Sequence, residues 1–294
     1  MDHLITSKYP IISLPMYKVS DAKFAIVCTK ANIFPSISIF NYSYDQGNKI
    51  DYKKLYDDFE IFFHEMPNND FLLSMGYNEI QDRNIIQALN TFKITKIEII
   101  LPFKPQRINF RLLYLLEERG ITLFLKCPFY QKQTLYDNFS ALILKGKYGA
   151  GLVGDDNIED MLLQAKNDYQ KKYIVASGGI YTKEKIKYFL AKGANAIGIG
   201  TLFATSSESN ISLATKQKMI LSSSSDISHI YNSMGHKKNA LVFATQDHDA
   251  DLNNTQSLIM GIQNPQQGGH VYSGVPLSDI TEIKPLKDIV KTLI

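Results

Sequence analysis

Short apolar runs recur along the chain, with amphipathic stretches between them. Eight runs stand out, at residues 11–14, 36–40, 71–74, 96–101, 122–126, 141–144, 173–176 and 196–199. Each has strand length rather than helix length. The segments at 20–29, 51–64, 79–92, 107–119, 157–170 and 182–192 place apolar residues at helical spacing. Ser20 stands where an N-cap is expected, and Gly120 and Gly193 stand where two of these helices end. Strands alternating with helices predict a parallel sheet in an α/β fold. Eight is the number that closes a (β/α)8 TIM barrel. An open doubly wound sheet is the alternative, but its glycine-rich first turn is replaced by Pro15-Met16-Tyr17-Lys18.

After Phe203 the pattern changes. Residues 206–210 and 222–226 are polar, and 228–261 mix Asn, Asp, His and small residues. From Gly268 the chain turns glycine-rich, GGHVYSGVPLSDI, and it closes on a helix predicted over 284–293. The expected organisation is a barrel formed by 1–204 and 268–294. Residues 205–267 are then a lid inserted after strand 8, where long insertions cover the mouth of such folds.

Composition narrows the function classes. The 294 residues are 45% apolar, enough for a barrel core. The net charge is +3 and the basic residues are scattered, which argues against a nucleic-acid partner. No apolar run approaches ~18 residues, so no membrane span is expected. The start of the chain is polar, without a signal-peptide pattern, and a cytoplasmic protein is expected. Cys28 and Cys127 lie far apart without zinc-like partners and read as buried reduced thiols. No metal site is expected. Oligomeric state is not legible.

The densest chemistry lies in residues 173–203. Ser177-Gly178-Gly179 ends one predicted strand and Gly200-Thr201 ends the next. Successive parallel strands point the same way, so both turns face one end of the sheet. Glycine turns let backbone N–H groups approach an anion, and in a barrel the natural anion site follows strands 7 and 8. A phosphate-bearing cofactor is the functional reading. Tight strand-to-helix packing without a ligand is the alternative.

These residues carry a resemblance. Tyr9-Pro10-Ile11-Ile12 with Pro15-Met16, Ala176-Ser177-Gly178-Gly179-Ile180, Gly193-Ala194, Gly200-Thr201 with Phe203, and Glu208-Ser209 with Lys216 follow one another as in the nitronate monooxygenase family. Flavin enoyl-ACP reductases share the pattern. The resemblance implies an FMN-dependent barrel. Ser177, Gly178, Gly179, Gly200 and Thr201 would hold the phosphate, and Met16, Ser74 and Lys145 would lie near the ring. The substrate would be a small molecule, a nitronate or related acid oxidised with dioxygen.

The chain also departs from the family. The family segment G-x-E-A-G-G-H corresponds to Gly146-Lys147-Tyr148-Gly149-Ala150-Gly151-Leu152, so Leu152 stands at the histidine position and Tyr148 at the glutamate position. Leucine cannot act as a general base. Lys145 replaces a glutamine, and either stabilises negative charge on a reduced flavin or pairs with a carboxylate. Leu202 replaces an arginine. The segment 32–36, with Phe34-Pro35, replaces the family's glycine-rich turn after the second strand, expected beside the cofactor, where it would shift, crowd or exclude the ring. Catalytic residues are thus unassigned, with His270, Lys145 and Tyr148 as candidates, and Tyr181 as a further hydrogen-bond donor. His229 and His236 are not spaced for one helical face. Asp247-His248-Asp249-Ala250-Asp251 reads as a solvated loop, lacking the glycine and distal glutamate of a calcium loop. Two rival functions remain: an enoyl-ACP-reductase-like flavoenzyme, and a catalytically silent barrel that binds a phosphorylated ligand.

Overall fold

The computed structural model describes residues 4–43, 49–101, 108–231, 237–243, 255–274 and 279–294. All eight apolar runs form parallel strands: β1 (Ile11–Ser13), β2 (Ser36–Ser38), β3 (Leu72–Gly76), β4 (Lys96–Ile100), β5 (Thr122–Cys127), β6 (Ala141–Lys145), then, beyond a short outlying strand β7 (Gly151–Leu152), β8 (Tyr173–Ser177) and β9 (Ala196–Ile199). Their order is β1-β9-β8-β6-β5-β4-β3-β2. A parallel bridge between Ile12 and Phe34 brings the two edges together, making a nearly closed (β/α)8 barrel. The doubly wound alternative is excluded, because its two edge strands would stay apart.

The helices follow the strands. They are α1 (Ala22–Lys30), α2 (Tyr52–Glu65), α3 (Arg83–Thr91), α4 (Phe110–Glu118), α5 (Ile158–Asp168), α6 (Lys183–Ala191), the single turn α7 (Thr201–Ala204), α8 (Leu213–Leu221), α9 (Thr255–Gln263) and α10 (Leu286–Leu293). Two local expectations shift. The helix expected over 79–92 divides at Asp82, whose carboxylate accepts from Asn84 N–H and starts α3 afresh. The cap of α1 is Asp21, not Ser20. The Ser20 hydroxyl instead accepts from Met16 N–H and donates to the Leu14 carbonyl, tying down the loop after β1.

One apolar cluster packs strands against the outer helices, and a second fills the barrel. The inner cluster includes Ile12, Phe34, Leu72, Phe124 and Tyr173, with Ile5 joining it. Phe34-Pro35 therefore precedes β2 and belongs to the floor. The expectation that it crowds a cofactor is corrected: the segment leads into β2 rather than following it, and Phe34 packs in the inner cluster. Phe34→Leu is expected to lower stability by about 1 kcal/mol, as a modest core change does, and to leave ligand affinity at the mouth unchanged. A titration beside a thermal melt checks both.

Over the mouth lies a second, antiparallel sheet of β10 (Ile227–Tyr231), β11 (Lys237–Phe243) and β12 (Gly269–Tyr272). β7 joins it by pairing with β11, Leu152 opposite Lys238 and Gly151 opposite Asn239. The boundary expected at Gln267 falls inside this layer, because β12 pairs with β11 and packs on α9. Cys28 and Cys127 are buried thiols pushed up to about 12 by burial, so neither supplies a thiolate near neutral pH. No helix among the described residues is long and apolar enough to cross a membrane.

Candidate active site at the barrel mouth

The strand ends and the roof enclose two joined compartments. The smaller, about 80 Å³, is bordered by Gly178, Gly179, Gly200, Thr201, Leu202 and Tyr148. The larger, about 860 Å³, runs beneath the roof and is bordered by Ser74, Ile100, Leu152, Val271 and Tyr272 among others. Met16, Lys126, Lys145, Ala150, Gly200 and Thr201 border both.

The smaller compartment is built by backbone constraint. Gly178 and Gly179 adopt φ of +96° and +80°, in the left-handed region that glycine enters without strain. A Cβ on Gly178 would lie 2.7 Å from the Gly146 carbonyl oxygen, so this turn can pack on the loop after β6 only as glycine. At Gly200 a Cβ would meet nothing closer than the Met16 sulfur at 3.8 Å, and would fill the compartment itself. The Thr201 hydroxyl accepts from Gly274 N–H at 3.0 Å, tying the end of β9 to the roof.

The barrel interior below is charged. Glu98 on β4 is fully buried, and its carboxylate lies 3.2 Å from the ammonium of Lys126 on β5. Lys145 on β6 donates to the Ala150 carbonyl. Burial, helped by the Lys126 charge, pushes the Lys145 amine well below the ordinary lysine range, and Glu98 opposes this in part. Ser74, 1% exposed, borders the larger compartment with a hydroxyl that has no protein partner. A buried unpaired hydroxyl at a cavity wall is open to a polar ligand group or a water molecule.

The sequence-predicted residues divide. Met16, Ser74, Lys145, Gly178, Gly179, Gly200, Thr201, Leu152 and Tyr148 all border the compartments. Ser177 does not, because its hydroxyl donates to the Leu144 carbonyl at 2.8 Å and serves the sheet. His270 does not either. It is buried between β12 and α9, with Nδ1 3.0 Å from the Ser257 hydroxyl. Tyr181 borders the smaller compartment, and its hydroxyl donates to Asp279 at 2.5 Å. His236 and residues 247–251 lie outside the described residues. Glu208 accepts from Leu286 N–H at the start of α10, and Lys216 donates to the Ser207 and Ser209 carbonyls. These family-like residues hold the frame.

Sequence reading missed Glu98, Lys126 and Asn239. The first two carry a signal, since each is a charge flanked on both sides by apolar residues within a strand, KIEII and TLFLKC. Asn239 carries none, because its role depends on long-range pairing. Its amide donates to the Lys147 and Gly149 carbonyls at 2.8 and 2.9 Å, and its oxygen meets His229 Nδ1. Asn239→Ala leaves those acceptors unpaired and is expected to cost about 1–3 kcal/mol. Hydrogen exchange should rise first across residues 146–152.

His270 gives the roof a pH dependence. Burial, with the charge of Lys238 nearby, lowers its pKa to about 4. Unfolded histidine titrates near ~6.5, so between these values the unfolded chain binds the extra proton. Roof stability is therefore full above the unfolded value and is lost as pH falls toward the folded one, by roughly 3 kcal/mol in all. Melting temperature against pH should flatten in this window for His270→Asn.

The profile of the nitronate monooxygenase family matches residues 136–294. FabK from Thermotoga maritima superimposes with a TM-score of 0.76 at 16% identity, over 98% of this chain and 92% of that one. A nitroalkane oxidase from Streptomyces ansochromogenes gives 0.74 at 15% identity, over 98% and 95%. The enoyl reductase domain of MlnA from Bacillus amyloliquefaciens gives 0.74 at 11%, over 98% and 93%. At such identities these likenesses establish the shared barrel fold. No curated protein sequence matches the chain.

Proposed function

The chain belongs to the nitronate monooxygenase family of flavin-dependent oxidoreductases, and on that premise we propose that it holds FMN at the barrel mouth and oxidises a small nitronate-like acid with dioxygen. One observation carries the reading: a glycine-walled compartment of anion size opens into a larger chamber lined by two lysines and an orphan hydroxyl. The residues present fit the cofactor. Gly178, Gly179, Gly200 and Thr201 would hold its phosphate, and Met16, Ser74, Lys126 and Lys145 would border its ring.

When bound, the flavin supplies the two-electron acceptor and the reactivity toward dioxygen. The chain supplies the rest. Lys126 offers positive charge to an anionic substrate, and Lys145 and Ser74 offer hydrogen-bonding groups. Leu152 and the roof strands exclude water, which strengthens those electrostatic contacts. Leu152 takes no proton, so the substrate suited to this site arrives already ionised, as a nitronate does. The free buried thiols suit a reducing cytoplasm.

An absorbance scan of freshly purified protein, followed by FMN titration, tests the cofactor. Gly200→Val is expected to weaken FMN by tenfold or more, about 1.4 kcal/mol, with the fold retained by circular dichroism. Colourless protein that takes up no FMN would remove the proposal. Nitronate-dependent oxygen uptake then tests the substrate, and NAD(P)H bleaching of bound flavin would point instead to a reductase. Leu152 at the family histidine position favours one second reading, a silent barrel that keeps only phosphate binding. FMN binding without turnover, with turnover regained in Leu152→His, would support it.

A further inference from the structure

Lys145 is a buried amine whose carboxylate has been taken by a neighbour. It rises from the end of β6, is 8% exposed and borders both compartments. Glu98, the carboxylate of this part of the interior, lies against Lys126. The hydrogen bond made by Lys145 goes to the main-chain oxygen of Ala150. A carbonyl accepts from a neutral amine as well as from an ammonium, so this contact does not hold the side chain in its charged form. The titratable groups around it are Lys126 and Glu98 inside the barrel and Tyr148 on the loop above.

The loop above Lys145 is fitted to it. A Cβ on Gly149 would lie 2.7 Å from Lys145 Cε and 3.0 Å from Cγ. The family segment has alanine at this position and glutamine at 145. Here the longer side chain and the missing methyl group occur together. The adjoining chamber has Ile39, Phe40, Ile100, Leu152 and Val271 in its wall, with Glu79 and Lys238 as its further charged groups, and is large enough for an organic molecule. A lysine desolvated next to a second cation is an arrangement that makes an amine nucleophilic near neutral pH.

We propose that Lys145 is a carbonyl-capturing nucleophile that takes a small aldehyde or α-keto acid from the chamber as an imine. Its nitrogen lone pair forms a bond to the carbonyl carbon, and the π pair moves to the oxygen. The two amine hydrogens leave with that oxygen as water, and a C=N bond replaces the C=O bond. Nothing is oxidised or reduced. Lys126 is the nearby ammonium that can lend a proton to the departing oxygen and take it back. It can also meet the carboxylate of a keto acid. The proposal uses only side chains of this chain.

The test incubates the full-length protein with glyoxylate or pyruvate and cyanoborohydride at neutral pH, then reads intact mass and maps the modified peptide. A single reduced adduct on Lys145, formed at least tenfold faster than on surface lysines, is expected. It should be lost in Lys145→Arg. Labelling of Lys145 no faster than of surface lysines overturns the proposal, and this reading needs no variant. Lys126→Met frees Glu98 to face Lys145, and the pH of half-maximal labelling should rise. An unmoved profile in a folded Lys126→Met protein also overturns it.

Discussion

Glu98→Gln is expected to cost about 3–5 kcal/mol of stability, the usual penalty for removing one partner of a buried ion pair. The pair is set among the inward faces of β4 and β5, with Glu98 fully buried and the Lys126 side chain only 12% exposed. Glutamine keeps the shape of the side chain and loses the charge. Lys126 is then left with an uncompensated ammonium, and Lys145 loses the one neighbour that favours its protonation. Denaturant unfolding gives the stability change directly. The double variant Glu98→Leu/Lys126→Met should recover most of it, because an apolar pair removes the desolvation cost of both groups. A loss below about 1 kcal/mol in Glu98→Gln would mean that water in the chamber solvates the pair and that the interior is not the low-dielectric site argued above.

Gly261→Ala is expected to unseat the roof, with a cost of about 3 kcal/mol or more, at the upper end of overpacking penalties. The added Cβ would lie 2.1 Å from the His270 carbonyl oxygen and 2.6 Å from its nitrogen. Both are main-chain atoms of β12, already fixed by pairing to β11. Gly269 presses back on α9 in the same way, its φ at +83° and its own Cβ position 2.1 Å from the Ser257 oxygen. Helix and strand thus touch backbone to backbone, and neither can yield alone. Hydrogen exchange should rise across α9 and β12 while the barrel strands stay protected. Uniform protection in Gly261→Ala would show that the roof adjusts as a rigid piece.

The barrel was legible because its strands are buried on both faces, and such strands read as continuous apolar runs. Periodicity carries no direction, however. The run starting at Ser36 put Phe34-Pro35 ahead of a strand, and the family resemblance alone moved that segment to the mouth; the pattern's own error was to merge a three-residue strand with the short 3-10 turn Ile39–Tyr42. It also ran straight through Asp82, since apolar spacing continues across a break made by one capping side chain. The glycines of the smaller compartment were visible as residue types, and structure added their φ values and neighbours. The roof sheet was hidden for a different reason. β10 carries exposed positions that read as loop, and β7 pairs with β11 across a long stretch of sequence. The Glu98–Lys126 pair was visible as two charges in apolar strands, and only the register of β4 with β5 brings them together.

The pairing of β7 with β11 has a kinetic meaning. Ala150, which accepts from Lys145, immediately precedes Gly151, which is itself paired with Asn239 of the roof. Peeling the roof back to admit a molecule pulls on the same short stretch of main chain. Were the roof to open in this way, entry of a guest and release of the amine would be one event.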